Sequence, residues 1–437
     1  MGSAGEWTKR DAAVVWHGFT QMACYTENAP VIVESAEGHE LIDVDGRRYL
    51  DAISSLWVTT LGHRVPALDQ AARDQLDRVA HSTMLGHGNR AAIELAEALA
   101  QVVPVDGPHF LFASDGAAAV EQALKIAFQY WVNRGVDGRT TYLAFGGAYH
   151  GDTVGGLSVG AGGFGIEMFD PLRFPVRRAP GFDEPRCFEV ASRLVAEHAD
   201  ELAAVVVEPL VQGAAGMITM PPGFLKDVER LCREHDVLLL ADEVATGFGR
   251  TGAMFACEHE GVEPDLMAIG KGLTGGYLPV AATLTSDAIY DAFSGEWAEL
   301  KALYHGHSFT GNQLGCAAAL ASLDLFERDR LVERVCESSE LVAAGLRELA
   351  ALPHVGEVRQ RGLMVGIELV ADRGTKEPFE WSDATGLRVC RRARELGMLT
   401  RPLGDVVTFL PPLASEPEDL AAMLAILRES IAGVTGA

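Results

Sequence analysis

Short apolar runs alternate with helical patterns between residues 110 and 241, and this alternation constrains the fold more than any other feature. The runs with strand character are 110–112, 141–145, 202–208 and 237–241. Two stretches between them, 117–131 and 222–234, place apolar residues at helical spacing. Strands that alternate with helices form a mostly parallel sheet, and ligands bind where the strands end. The sequence therefore predicts an α/β fold with a site at that edge.

The N-terminal part of the chain has a different pattern. Residues 31–51 alternate as a β meander, and Asp45-Gly46 is a dipeptide typical of a hairpin turn. Pro66 then begins a predicted helix. The apolar face of this helix is formed by Leu68, Ala72, Leu76 and Val79.

The character changes again after about residue 325. A long helix over Leu331–Leu349 precedes a strand at Gly362–Leu369, a helix at 386–396 and a final helix from Glu416. This pattern predicts a smaller α+β unit. We therefore expect three parts: an N-terminal segment, 1–65, that contributes to the small domain, a large domain over 66–325, and a small domain over 326–437.

Composition excludes several classes of partner. The 437 residues carry 36 basic and 61 acidic side chains, a formal net charge of −25, which argues against a nucleic acid or an anionic membrane as partner. No run approaches the 18 apolar residues of a membrane span, and the first residues lack the pattern of a signal peptide. The seven cysteines are scattered and form no Cys-x-x-Cys pair. We therefore expect a reducing, cytoplasmic location and no cysteine metal site.

Lys271 is the residue with the clearest chemistry. It lies between Gly270 and Gly272 after an apolar run, and Asp242 ends the run 237–241. A lysine amine can form a Schiff base with the aldehyde of pyridoxal phosphate, and a carboxylate can keep the ring nitrogen of that cofactor protonated. The ordinary alternative for such a lysine is a surface position. The pair favours a site for pyridoxal phosphate.

Two loops that follow strands have side chains suited to the same cofactor. Ser114-Asp115-Gly116 precedes a helix whose free N–H groups suit a phosphate, although an ordinary N-cap is the alternative and the Asp115 carboxylate must turn away. Tyr149 and His150 follow the strand at 141–145. Tyr149 is either a ring that stacks on the cofactor or a buried core tyrosine.

Three further candidates have polar or ionic side chains in glycine-rich or proline-containing segments. Ser308 lies near a glycine and suits a phosphate, while the neighbouring His305 and His307 have no nearby carboxylate or cysteine and make a weak metal site. Arg401 precedes a proline, and its guanidinium suits a bidentate grip on a carboxylate. Arg250 has the same two interpretations as Arg401, a substrate ligand or a surface arginine.

The spacing Gly160-x-Gly162-x-x-Gly165 fits a dinucleotide-binding fingerprint. No clear strand precedes it and no clear helix follows it, so its context disagrees with that fingerprint. We interpret it as a flexible loop.

Together these segments resemble the class III aminotransferases, over nearly the whole chain from Trp16 to about Ser430. The most specific segments are Asp242–Gly252 and Gly270–Gly276. Within the class, the chain is most similar to the 7,8-diaminononanoate synthases of biotin biosynthesis. That resemblance rests on His17–Met22, Ser54–Trp57, Gln129–Trp131, Tyr149–Asp152, Phe255–His259 and Arg401–Gly404.

The resemblance implies a fold of type I among pyridoxal-phosphate enzymes, the aspartate-aminotransferase-like fold. Its large domain has a mostly parallel seven-stranded sheet, beside a smaller α+β domain. The resemblance also implies a homodimer whose sites are completed across the interface, with Ser308 reaching the phosphate of the second subunit. No metal, nucleic acid or membrane is implied.

The resemblance assigns a role to each candidate side chain. Lys271 carries the cofactor, Asp242 faces its ring nitrogen, and Tyr149 and Val244 lie on the two faces of the ring. The remaining cofactor residues are Ser114, Asp115, Gly116, His150 and Glu208. Around an oxo-acid substrate, 8-amino-7-oxononanoate, the resemblance places Phe19, Trp57, Arg250 and Arg401, with Arg401 on the carboxylate.

Two positions bear on the amino donor. The branch that uses S-adenosylmethionine has Trp-Trp where this chain has Leu56-Trp57, and a tyrosine where it has Phe19. Both departures resemble the branch that takes its amino group from lysine, so we expect lysine as donor. The alternatives are S-adenosylmethionine, or an ω-transaminase acting on another amine or oxo acid. Aminomutase or decarboxylase chemistry, a non-enzymatic regulator and a nicotinamide enzyme are more distant alternatives.

Overall fold

The computed structural model describes residues 2–28, 30–161 and 166–436. The N-terminal part begins with the helix α1 (Ala4–Val14) and a short antiparallel meander. The elements that follow α1 are β1 (Val33–Glu37), β2 (Glu40–Asp43), β3 (Arg48–Asp51), the irregular single turn α2 (Ser54–Trp57), α3 (Pro66–Leu76) and α4 (Arg90–Leu99). Pro66 occupies the first turn of α3, and the Asn89 side chain caps α4 by accepting the Ala92 N–H at 2.8 Å.

The central part alternates strands and helices as the sequence predicts. Its elements are β4 (His109–Ala113), α5 (Gly116–Asn133), β5 (Thr141–Phe145), α6 (Val154–Val159), β6 (Arg177–Ala179), α7 (Cys187–His198), β7 (Leu202–Val207), β8 (Val211–Gln212), β9 (Ile218–Thr219), α8 (Phe224–Glu234), β10 (Leu238–Asp242), β11 (Leu266–Ile269), β12 (Ala281–Thr285), α9 (Asp287–Asp291) and α10 (Gln313–Arg328). Seven of these strands form one sheet in the order β4-β12-β11-β10-β7-β5-β6. Only β12 runs antiparallel to its neighbours, β11 and β4. The predicted seven-stranded, mostly parallel sheet is confirmed.

Both faces of the large sheet are buried, because successive side chains of each strand point to opposite sides. On one face, Leu240 and Val206 pack with α5, whose Trp131 is 1% exposed and donates its indole N–H to the Ala203 carbonyl at 2.9 Å. On the other face, Leu239 and Val205 belong to a second core cluster that continues into the C-terminal part. The sheet is therefore fixed on both sides, and its carboxyl edge is a rigid platform.

The C-terminal part is an α+β unit. Its elements are α11 (Leu331–Leu349), β13 (Val355–Arg361), β14 (Met364–Leu369), α12 (Thr385–Glu395), β15 (Met398–Leu399), β16 (Pro402–Leu403), β17 (Val406–Phe409) and α13 (Pro417–Thr435). A four-stranded antiparallel sheet has the order β13-β14-β17-β16. In a second sheet, β15 pairs in parallel with β3 of the N-terminal meander. The two ends of the chain therefore share a sheet, while the predicted domain boundaries stay a prediction.

One predicted apolar face is wrong in part. Leu68 of α3 is fully buried, but Leu76 is 60% exposed and Val79 is 41% exposed. The helix ends at Leu76, so the periodicity that includes Val79 continues past the end of the helix. None of the helices in the described ranges is both long and apolar enough to cross a membrane.

Candidate active site

The carboxyl edge of the large sheet brings the predicted polar residues together. Asp242 is the last residue of β10, Glu208 follows β7, and Lys271 follows β11. Strands β10 and β11 are parallel neighbours, with Asp242 opposite Ala268, three residues before Lys271. This register places the lysine and the carboxylate at the same edge, as the sequence predicts.

Asp242 forms a buried pair with His150. The Asp242 carboxylate Oδ2 lies 2.7 Å from His150 Nδ1, and its Oδ1 accepts the Val244 N–H at 3.1 Å. Burial by itself lowers the pKa of His150, but the hydrogen bond to Asp242 and the charge of that carboxylate outweigh burial and raise it. Among the described residues, the buried His150 Nε2 has no hydrogen-bond partner. The arrangement is suited to holding negative charge at Asp242.

Lys271 is enclosed at the same edge. Burial lowers the pKa of its amine, and the charges of Asp242 and Glu208 oppose that effect only in part. The Nζ atom lies 5.4 Å from the ring centroid of Trp57, and the backbone at Lys271 is in the left-handed region with φ 42°. Removal from water therefore favours the neutral amine, which is the nucleophilic form.

Glu208 supports the wall beside Tyr149. Its carboxylate accepts the Tyr149 N–H at 3.0 Å and the Gly213 N–H at 3.2 Å. Burial raises the pKa of Glu208 to about 7. These hydrogen bonds join the loops that follow β5 and β7. The Glu208 side chain therefore helps to hold the backbone around the site in place.

The N-terminus of α5 has room for an anion. The Asp115 carboxylate turns back to accept the Ala118 N–H at 2.8 Å, so the N-cap interpretation is correct for its side chain. Among the described residues, the N–H groups of Gly116 and Ala117 have no hydrogen-bond partner. A Cβ at Gly116 would lie 2.5 Å from Val244 Cγ1, so only glycine fits against Val244. Phosphate binding by Ser114 and by the amides of Asp115 and Gly116 stays a prediction.

Tyr149 is half-buried rather than a core residue. Its hydroxyl donates to Asp152 Oδ2 at 3.0 Å, and burial together with the Asp152 charge raises the pKa of Tyr149. The sequence prediction gave Asp152 no role, although the residue follows His150 by two positions. The hydroxyl is therefore held protonated, and the ring is oriented by the carboxylate.

Arg401 faces the same space from the C-terminal part. Its positive charge acts on the Tyr149 hydroxyl, and its guanidinium carbon lies 5.9 Å from the ring centroid of Phe19. Phe19 is 71% exposed. Within the described ranges no carboxylate forms an ion pair with Arg401, so the guanidinium is available to an acidic ligand.

Arg250 has a contact that the sequence did not predict. It is 1% exposed, donates to the Pro411 carbonyl at 2.7 Å, and lies 3.5 Å from the Ser54 hydroxyl. Burial lowers its pKa to about 10. The surface alternative is wrong for Arg250, and its placement around the substrate stays a prediction.

Ser308 lies in an exposed segment after β12. His305 Nδ1 lies 3.2 Å from the amine of Lys125, and His307 Nε2 accepts the Ser114 N–H at 3.2 Å. Across the part of the chain that the structure describes, no three histidine, cysteine or acidic side chains are placed to hold a metal ion. The role of Ser308 in a second subunit stays a prediction.

The glycine fingerprint near residue 160 has the wrong context. Helix α6, and not a strand, ends immediately before Gly160. A dinucleotide fingerprint requires a strand at that point. Gly162 and Gly165 lie outside the described residues, so the predicted flexible loop is not described.

An amine removed from water, beside a buried carboxylate at the edge of such a sheet, is the arrangement that a Schiff base with pyridoxal phosphate requires. The family model for aminotransferase class-III matches residues 22–431. The chain therefore belongs to the class-III aminotransferases, which are pyridoxal-phosphate-dependent enzymes.

Three known proteins show how close the similarity is. The adenosylmethionine-8-amino-7-oxononanoate aminotransferase of Anoxybacillus flavithermus is 49% identical, covering 100% of this chain and 98% of that protein. The crystal structure of the enzyme of the same name from Methanocaldococcus jannaschii is 44% identical with a TM-score of 0.97, covering 99% of this chain and 100% of that chain. An omega transaminase from Pseudomonas jessenii, solved in complex with PMP, is 29% identical with a TM-score of 0.93, and 98% of each chain is covered.

Proposed function

We propose that this enzyme transfers an amino group to 8-amino-7-oxononanoate, forming 7,8-diaminononanoate for biotin biosynthesis. The observation that carries the proposal is the buried amine of Lys271 beside the Asp242–His150 pair. The names of the full-length relatives supply the substrate. The available guanidinium of Arg401 is suited to the carboxylate of that oxo acid.

The residues present fit pyridoxal 5′-phosphate. Lys271 would hold its aldehyde carbon, Asp242 would face its ring nitrogen, and the unpartnered amides of Gly116 and Ala117 would receive its phosphate. Tyr149 and Val244 would flank the ring. When bound, the cofactor accepts the electrons released as the Cα–H bond of the donor breaks.

The side chains of this chain then have separate tasks. The amine of Lys271, whose pKa is lowered by burial, would remove the proton from the donor Cα and return it at the neighbouring carbon, as base and then acid. The Asp242 carboxylate, held by His150 and the Val244 amide, would keep a proton on the ring nitrogen. Arg401 would bind the oxo-acid carboxylate, and Trp57 would cover the lysine side of the pocket.

We propose a homodimer whose two sites are completed across the interface. Ser308 and Phe309 are exposed, and Phe309 has 55% of its surface open to solvent. Leu76 and Val79 are also exposed apolar side chains. A second copy of the chain would cover such surfaces and bring Ser308 to the phosphate of its partner.

Arg401→Lys should raise the KM for the oxo acid about 30-fold, roughly 2 kcal/mol, because lysine keeps the charge but loses the two parallel N–H donors. Steady-state kinetics with varied oxo acid measure this effect. The control is Arg373→Ala, an exposed arginine in the C-terminal part, which should leave KM unchanged. Wild-type enzyme that aminates simple ketones but not 8-amino-7-oxononanoate would instead favour an ω-transaminase, as in the Pseudomonas jessenii relative.

We propose lysine as the amino donor. Phe19 is 71% exposed and its ring lies 5.9 Å from the guanidinium carbon of Arg401, and Leu56, which is 47% exposed, directly precedes Trp57. Neither offers the hydroxyl or the second indole that would hold a sulfonium-adenosyl donor. The relatives named after adenosylmethionine favour that donor as the second candidate.

A half-reaction separates the two donors. Holoenzyme mixed with lysine alone should lose the absorbance of its aldehyde form and gain that of the amine form. S-Adenosylmethionine at the same concentration should produce little change in these absorbances. In the double variant Phe19→Tyr, Leu56→Trp, the conversion by S-adenosylmethionine should increase. Conversion by S-adenosylmethionine alone would reject lysine as donor without affecting the oxo-acid proposal.

A further inference from the structure

The segment 53–57, here called the strap, carries Trp57 into the site in a strained backbone conformation. Ser54, Ser55 and Trp57 have φ values of 52°, 58° and 64°, in the left-handed region that residues with a side chain rarely adopt. Each such residue costs on the order of 1 kcal/mol and persists only where surrounding contacts impose it. The strap therefore needs an anchor.

Asp51, the last residue of β3, is that anchor. Its carboxylate is fully buried and accepts the Ser55 N–H at 3.0 Å on Oδ1 and 2.8 Å on Oδ2. Oδ1 also lies 3.3 Å from the Ile53 N–H, and Oδ2 lies 2.9 Å from His63 Nε2. A buried carboxylate with these partners can impose the left-handed turn.

A second contact holds the strap from the C-terminal part. The Ser54 hydroxyl donates to the Leu410 carbonyl at 2.6 Å, and Arg250 lies 3.5 Å from the same hydroxyl. Ser54 therefore fixes the start of the strap, and Asp51 fixes its middle. The side chain at its end, Trp57, lies beside Lys271 in the site.

Trp57 packs tightly inside the site. A Cβ at Gly213 would lie 3.0 Å from Trp57 Cζ3, and Lys271 Nζ lies 5.4 Å from the ring centroid. The indole Nε1 is buried and, among the described residues, has no hydrogen-bond partner. A buried donor without a partner is costly, and a bound substrate that accepts its hydrogen bond would remove that cost.

We propose that Asp51, oriented by His63, is a positioning residue that sets the Trp57 indole against the bound oxo acid. It acts through the strap and touches neither substrate nor cofactor. Its loss therefore weakens oxo-acid binding and leaves proton transfer by Lys271 largely intact. The identity of the substrate rests on the proposed function, whereas the placement of Trp57 does not.

The test has two measurements: the environment of Trp57 by fluorine NMR, and the steady-state kinetics of the enzyme. Enzyme labelled with 5-fluorotryptophan gives a fluorine NMR signal for Trp57, assigned by its absence in Trp57→Phe. In Asp51→Ala, this signal should move toward those of the exposed Trp16 and Trp297, which are 88% and 97% exposed. The KM for the oxo acid should rise at least tenfold, while kcat changes less than threefold. Where Asp51→Ala yields no soluble protein, Asp51→Asn decides, with the same direction of change.

Two matched variants separate positioning from general stability. His63→Gln keeps an N–H donor near the Oδ2 of Asp51, so its Trp57 signal and KM should stay near those of the wild type. His63→Leu loses that donor, so the Trp57 signal should move and the KM should rise. The control is His39→Asn, because His39 also pairs with an aspartate: its Nδ1 lies 2.7 Å from Asp419 Oδ2. This variant should change neither the Trp57 signal nor the KM.

Soluble Asp51 variants with an unmoved Trp57 signal would overturn the proposal, as would an unchanged KM or a fall in kcat alone. If the wild type does not use 8-amino-7-oxononanoate, the proposed function fails. The fluorine signal still decides whether Asp51 positions Trp57.

Discussion

Replacing Lys271 with alanine should lower transamination at least about 10³-fold, because the variant loses both the attachment of the cofactor and the proton-transferring amine. Burial lowers the pKa of the Lys271 amine, which favours the neutral form that accepts a proton. The purified variant should also lack the absorbance that the wild type acquires on reconstitution with pyridoxal phosphate. Both effects are measured on the same preparations, by spectrophotometry and by product formation.

Small amines provide the internal control for this variant. The space left by the side chain should admit methylamine or ethylamine, which should restore part of the proton transfer and hence part of the activity. Lys376→Ala, which removes a lysine paired with Glu357 on the surface, should behave as the wild type. A Lys271→Ala enzyme with more than a tenth of wild-type activity would contradict the assignment.

The sequence predicts the pairing of Lys271 with Asp242 because of a simple geometric rule. Strands β10 and β11 are parallel neighbours, and parallel strands end at the same edge. A loop residue after one strand therefore meets the terminal residue of the next, although 29 positions separate them in the chain (271 − 242). The same rule correctly brings Glu208 and His150 to this edge.

Elements that lack a clear period were not predicted. All five residues of β12 are buried, and the two alanines at its start, Ala281 and Ala282, interrupt the alternation of polar and apolar types. Helix α10 buries Gln313 and Ser322 beside apolar residues, which weakens its helical pattern. Hydrophobic periodicity identifies helices and strands that have one solvent-exposed face, and these two elements are enclosed on several sides.

Contacts between distant parts of the chain were also beyond prediction. Arg250 bonds to the carbonyl of Pro411, which is 161 positions away. The Asp51 carboxylate holds the strap through backbone N–H groups, and backbone groups carry no sequence signal. Such partners depend on how the N-terminal and C-terminal parts pack, so no local pattern identifies them.

Asp242→Asn should reduce kcat about 10³-fold, or roughly 4 kcal/mol in the barrier, while the fold and cofactor binding persist. Asparagine is nearly the same shape, and its oxygen can still accept the Val244 N–H that now lies 3.1 Å from Oδ1. The negative charge is lost, so nothing stabilises a proton on the cofactor ring nitrogen. Asp419→Asn, which alters the His39 pair instead, should leave kcat unchanged.

A modified cofactor distinguishes loss of charge from loss of shape. Pyridoxal phosphate methylated on its ring nitrogen carries a permanent positive charge and needs no protein carboxylate to keep it. The variant Asp242→Ala leaves room for the methyl group. Reconstituted with the methylated cofactor, it should be at least tenfold more active than the same variant reconstituted with ordinary pyridoxal phosphate. The same cofactor should not restore Lys271→Ala, since that variant still lacks the proton-transferring amine. Equal failure in both variants would mean that Asp242 acts mainly by holding His150, whose Nδ1 lies 2.7 Å from its carboxylate.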